Sequence, residues 1–99
     1  MEQLVLAGAD ADVLETYARL EDAAAGLGER FNERVEEALD RLLSFPQSGP
    51  MYMAPYRRLL VMDFPFGVFY SIEGRRIVVQ AVLHLRQDPS AIRRRLGLT

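Results

Sequence analysis

One break in the hydrophobic period constrains this chain more than any other feature. Up to Phe45 the apolar residues recur with helical spacing, and from Tyr56 onward they alternate or run together. Helical recurrence marks amphipathic helices, whereas alternation and short apolar runs mark strands. Between the two regimes lies "FPQSGPMYMAPY", in which Pro46, Gly49, Pro50 and Pro55 sustain neither a helix nor a central strand. The chain must therefore place helices first and a strand meander second.

Within that frame the local signals are specific. Gln3–Ala7 is a short apolar run and reads as an edge strand. Asp10 or Asp12 can cap the first helix, and Asp12 with Glu15 has capping-box spacing. Val13, Tyr17, Leu20, Ala24 and Leu27 form its stripe, and Gly26 and Gly28 permit a tight reversal. The second helix spans roughly Glu29–Phe45, with Phe31, Val35, Ala38, Leu39 and Leu42 on one face and a Glu37–Arg41 pair on the other. Then "YRRLLVMD" reads as a strand, "FPFG" as a turn, and "GVFYSI" as a strand. "EG" reads as a hairpin turn with Gly74 at positive φ, and "RRIVVQAVLHL" as the longest strand. "PSAIRRRL" opens with Pro89 and suits a short terminal helix. The order is β-α-α-β-β-β with a short last α. The economical packing is an α+β two-layer domain, a helical hairpin on one face of a small antiparallel sheet.

Length and charge narrow the function classes. Ninety-nine residues make a single domain, 1–99, with one modest core. No apolar run approaches the roughly 20 residues that span a bilayer. The N-terminal "MEQLVLAGAD" lacks a basic secretory n-region. With no cysteine there is no disulfide framework and no thiolate chemistry, and a cytoplasmic location is expected. Residues 1–40 carry 11 acidic groups against 3 arginines, while residues 41–99 carry 9 arginines against 3 acidic groups. A chain of net charge −2 is a poor general nucleic-acid binder, so no direct sequence-specific nucleic-acid binding is expected of it alone. Its basic half can still present a local positive patch.

Strand alternation sorts the last strand into two faces. Ile77, Val79, Ala81, Leu83 and Leu85 are expected under the helices. Arg76, Val78, Gln80, Val82, His84 and Arg86 are expected on an uncovered face, joined by Arg57 or Arg58 from the first meander strand. Apolar Val78 and Val82 on an open face suggest a partner. The candidate partner contacts are therefore Arg57, Arg58, Arg76, Gln80, His84, Arg86, Arg93 and Arg94. There is no Gly-rich phosphate loop, no nucleophile elbow, and no second histidine or cysteine to complete a metal site. No metal and no cofactor are expected.

"GLGERFNERVEEALDRLLSFPQSGP" followed by "YRRLLVMDFPFGVFYSIEGRRIVVQAVLHLRQDP" resembles the RelE/ParE family of toxins from bacterial type II toxin–antitoxin systems. The likeness runs from about Tyr17 to Pro89. Its strongest parts are Leu27–Phe31, Pro46 with Gly49, Phe64-Pro65-Phe66, Phe69-Tyr70, and Ala81–His84 with Arg86 and Asp88-Pro89. The resemblance implies the fold already reached and a cognate antitoxin whose C-terminal segment orders on the toxin. It also implies one of two activities. RelE-like members are ribosome-dependent mRNA endoribonucleases that use basic side chains on the sheet; here Arg57, Arg86 and His84 would be the active groups. ParE-like members bind and block DNA gyrase with no established chemistry of their own. This chain has Leu59 and Gly67 where the ribonuclease branch has basic residues, and it lacks the terminal tyrosine. "GVFYSIEGRRIVVQAVLH" is similar to the ParE branch. The implied reading is a gyrase-binding toxin rather than an enzyme. The ribosome-dependent nuclease and an inactive member that only binds its antitoxin stand as alternatives. Toxins of this family are usually basic, and this chain is net acidic.

Overall fold

The period break is also the structural divide. The computed structural model describes residues 1–98. Its elements are β1 (Glu2–Val5), α1 (Ala7–Ala23), α2 (Leu27–Ser44), β2 (Met51–Met53), β3 (Tyr56–Leu60), β4 (Phe66–Glu73), β5 (Arg76–His84) and α3 (Pro89–Arg95). Among the described residues no helix is long and apolar enough to cross a membrane.

The helices reverse over three residues, Ala24 to Gly26, and Gly26 permits this by taking a left-handed φ of 86°. Glu21, near the end of α1, then caps α2. Its carboxylate accepts the backbone N–H groups of Gly26, Gly28 and Glu29 at 3.2, 2.8 and 3.3 Å. These are donors that the first turn of a helix otherwise leaves unpaired, and the bonds hold the Glu21 carboxyl below its ordinary pKa. α2 buries Phe31, Val35, Ala38 and Leu42, the stripe its spacing predicts.

The sheet order is β1-β5-β4-β3-β2. β3, β4 and β5 form the expected antiparallel meander, and β2 adds a short edge strand out of the proline-rich stretch. β1 pairs with β5 in parallel, so the sheet is mixed rather than wholly antiparallel. The connection from β1 is the helical hairpin itself, which carries the chain across the sheet and leaves β1 beside the last strand.

Two faces are covered, not one. On the helical-hairpin side lie Phe31, Val35, Leu42, Val68, Tyr70, Ile77, Val79 and Val82. On the other side Phe69, Ala81 and Leu83 pack with Ile92 of α3 and with Leu96 at its C-terminal end, together with Tyr52, Tyr56 and Leu98. Ile77 and Val79 meet the helical hairpin as their alternation requires. Ala81 and Leu83 do not, and Val82 crosses to the hairpin side. The cause is a β-bulge. Tyr70 pairs with Val79 and Phe69 with Ala81, so one step on β4 spans two on β5 and Gln80 is the extra residue. An extra residue shifts the side-chain parity of everything after it. The face expected to be bare is therefore filled in part by α3 and its C-terminal cap, since Ile92 and Leu96 sit one turn apart.

The helix-to-sheet loop is pinned by Tyr70, which is fully buried. Its hydroxyl donates to the Pro46 carbonyl at 2.7 Å and accepts the Gly49 N–H at 3.0 Å. Burial raises its pKa, so the phenol stays protonated and able to donate. Arg57 donates to the Gly49 carbonyl at 2.9 Å. A Cβ on Gly49 would lie 2.9 Å from the Arg58 carbonyl carbon and from the Tyr70 hydroxyl, so only glycine fits. Tyr70→Phe should cost about 1–3 kcal/mol, the penalty for stranding a buried donor and acceptor. Urea unfolding at neutral pH measures it. A loss near zero would mean that the phenol does not hold the loop.

Candidate functional site

β1 ends at Val5 because the chain turns there into α1, with Leu6 N–H still bonded to the Val79 carbonyl at 3.0 Å. The Ala81–His84 half of β5 therefore has no strand beside it on that edge. A cleft of about 760 Å³ opens along this edge, between α1, the turn at Phe64–Phe66 and the loop that follows β5.

Asp12 organises the cleft. It does not cap α1, which begins five residues earlier at Ala7. Instead its Oδ2 accepts the Val82 N–H at 3.0 Å, standing in for the missing strand. Arg95 of α3 reaches the same carboxylate with two bonds, Nη1 to Oδ1 and Nη2 to Oδ2, each 2.9 Å. The Asp12 side chain is only 12% exposed. Donating to the Asp12 carboxylate raises the Arg95 pKa further, so this guanidinium stays charged. One carboxylate thus ties together α1, the strand that follows the bulge, and α3.

His84 is half-buried on the hairpin side, not on an open face, because the bulge has moved it there. Its ring packs edge-on against Phe66 with centroids 5.1 Å apart. Nδ1 accepts the Arg86 N–H at 3.0 Å, which leaves the proton of the neutral ring on Nε2. Arg86 and Arg19 line the same cleft and are exposed, and neither makes an ion pair among the described residues. The cleft thus offers two free guanidiniums and an imidazole above an aromatic wall. That suits the recognition of anionic or hydrogen-bonding groups.

The remaining expected contacts scatter. Arg57 lies on the hairpin side and is occupied with Gly49. Arg58 lies on the α3 side, with its guanidinium 4.7 Å over the Tyr52 ring. Arg76 pairs with Glu2 at the start of β5, at 3.3 Å. Gln80 is the bulge residue. Arg93 reaches the Met53 sulfur at 3.8 Å, and Arg94 is exposed on α3. So the structure brings His84 and Arg86 together, sets Arg58 and Arg93 on the opposite face, and leaves Arg57 and Arg76 in structural roles. The sequence reading did not find Asp12 and Arg95 as partners. They stand 83 positions apart, and no local pattern links them.

Two of the three departures from the nuclease pattern, Leu59 and Gly67, have structural explanations. Leu59 packs into the core on the hairpin side. Gly67 is buried beneath the Arg58 stem, where a Cβ would meet Arg58 Cγ at 2.8 Å and Leu85 at 3.3 Å. Neither position can present a cation to a substrate. Among the described residues no group of three His, Cys, Asp or Glu could hold a metal ion.

The architecture is shared with a solved toxin–antitoxin protein. A chain from the chromosomal ParDE toxin–antitoxin system of P. aeruginosa superposes with a TM-score of 0.76 at 17% identity, covering 85% of this chain and 95% of that one. No curated protein sequence matches. The family model described as the ParE toxin of the type II toxin–antitoxin system parDE matches residues 5–89, from the end of β1 to the start of α3. With most of its length inside that match, the chain belongs to the ParE family of type II toxin–antitoxin toxins.

Proposed function

We propose that this toxin acts by binding, with DNA gyrase as its target, and that a cognate antitoxin silences it by ordering a C-terminal segment on its surface. The burial of position 67 under Arg58 carries the choice of binding over catalysis. Phosphodiester cleavage needs cations aimed at the charge that develops on the phosphate. Here the two positions that would supply them are a core leucine and a side-chain-free glycine. The His84 imidazole has a backbone amide as its partner among the described residues, not an acid that would poise it for proton transfer. What the cleft retains is a set of exposed contact groups, Arg19 and Arg86 beside His84. Action in the cytoplasm, where gyrase works, follows from the same reading.

Purified protein should inhibit gyrase supercoiling of relaxed plasmid in a dose-dependent way. Arg86→Glu should weaken inhibition roughly ten-fold, equivalent to about 1.4 kcal/mol of binding. Unimpaired gyrase at saturating protein would remove gyrase as the target. Cleavage of a translated mRNA, lost on Arg86→Ala, would replace binding with the ribosome-dependent nuclease reading. Growth unaffected by expression without the antitoxin would leave a member that only binds its partner.

A further inference from the structure

The helical hairpin does not close fully over the sheet. A second cleft of about 420 Å³ opens between α1 and α2, and Val5, Val79 and Val82 of the sheet line it together with helix residues. Its lining includes no arginine or histidine. Three exposed carboxylates, Asp10, Glu29 and Glu36, stand around an apolar interior. Leu14 lies at the cleft and is 69% exposed, which extends the apolar interior to the surface. Asn32 also lines the cleft, and its Oδ1 is buried without a hydrogen-bond partner among the described residues.

We infer that this cleft docks a segment of the antitoxin that is apolar and cationic. It would carry an aliphatic side chain against Leu14 and the valine floor, with lysine or arginine on either side facing Asp10, Glu29 and Glu36. The inference rests on the antitoxin reading above and adds the location and the sign of the charge. Charge complementarity decides the occupant. The first 40 residues carry 11 acidic groups against 3 arginines, so an acidic segment laid here would meet like charge along its length. The surface is the reverse of the basic arginine cleft on the other side of α1. The two can therefore hold chemically different partners.

The protein encoded beside this toxin is the probe, co-expressed with the tagged chain and titrated against it. Leu14→Asp and Glu36→Arg, both at exposed positions, should each weaken the complex at least ten-fold, while Glu33→Arg, outside the cleft, should leave it unchanged. Affinity should fall as salt rises, and cross-links from Glu36 should land on a segment bearing lysine or arginine. Tight binding that neither variant disturbs, or cross-links to an acidic segment, would overturn the cleft assignment while leaving the antitoxin reading intact. A wild-type chain that retains no partner at all would instead overturn the antitoxin reading, and this inference with it.

Discussion

Phe31→Ala is expected to remove about 3–5 kcal/mol of stability, the usual cost of deleting a fully buried aromatic ring. Phe31 is 0% exposed. Its ring meets Phe64 edge-on at 5.3 Å and Phe66 at 5.1 Å, and Phe66 in turn supports His84 at 5.1 Å. The ring therefore joins α2 to the turn that walls the arginine cleft. A domain of this size holds roughly 5–15 kcal/mol in total, so the loss consumes a large share of it. The melting temperature should fall by well over ~10 °C. Phe31→Leu, which refills most of the volume, should recover more than half of the loss. Thermal and urea unfolding of both variants would check this. A drop of only ~1 kcal/mol for Phe31→Ala would mean that the aromatic cluster is not the keystone of the core.

Asp12→Ala should be the next most damaging change, at about 2–4 kcal/mol. Part of that is the Val82 N–H, left without an acceptor at a cost of about 1–3 kcal/mol. The remainder is the paired bond to Arg95. That contribution is held to about 1 kcal/mol because the Arg95 side chain is 39% exposed and can return to water. The two parts can be separated. Asp12→Asn keeps an acceptor for Val82 and removes the charge, so it should cost much less than Asp12→Ala. Arg95→Ala should cost little in global stability yet speed hydrogen exchange in α3, which loses its tie to α1. A double-mutant cycle between Asp12 and Arg95 gives the coupling directly. If Asp12→Asn proves as harmful as Asp12→Ala, the ion pair rather than the amide bond holds the junction.

Much of the fold was legible because its causes are local. Phe31, Val35, Ala38 and Leu42 recur at helical spacing, and they are the residues that α2 buries. Gly26 and Gly74 stand at reversals, and both take positive φ. Pro46 and the residues after it end the helix for the reason any proline does. The faces of β5 were legible only as far as Val79. Parity counting assumes an unbroken pleat, and nothing in "VVQAVLH" announces that Gln80 is looped out of register. β5 pairs with β4 and β1 and bonds to Asp12 of α1 along one length, and none of these neighbours is visible from the strand's own residues.

The amino-acid order, read by itself, determined two amphipathic helices, a proline-rich hinge and a strand meander, because each arises from contacts between residues close in the chain. It also placed His84 and Arg86 at the end of the last strand. Only the tertiary structure decided which side of the sheet they would occupy. It also decided that α3 would cover the other side, and that Asp12 would bind both Val82 and Arg95 across 70 and 83 positions. Those outcomes depend on which segments come to lie beside one another. Contacts between distant segments are chosen by the packing of the whole chain, which no short stretch of it encodes.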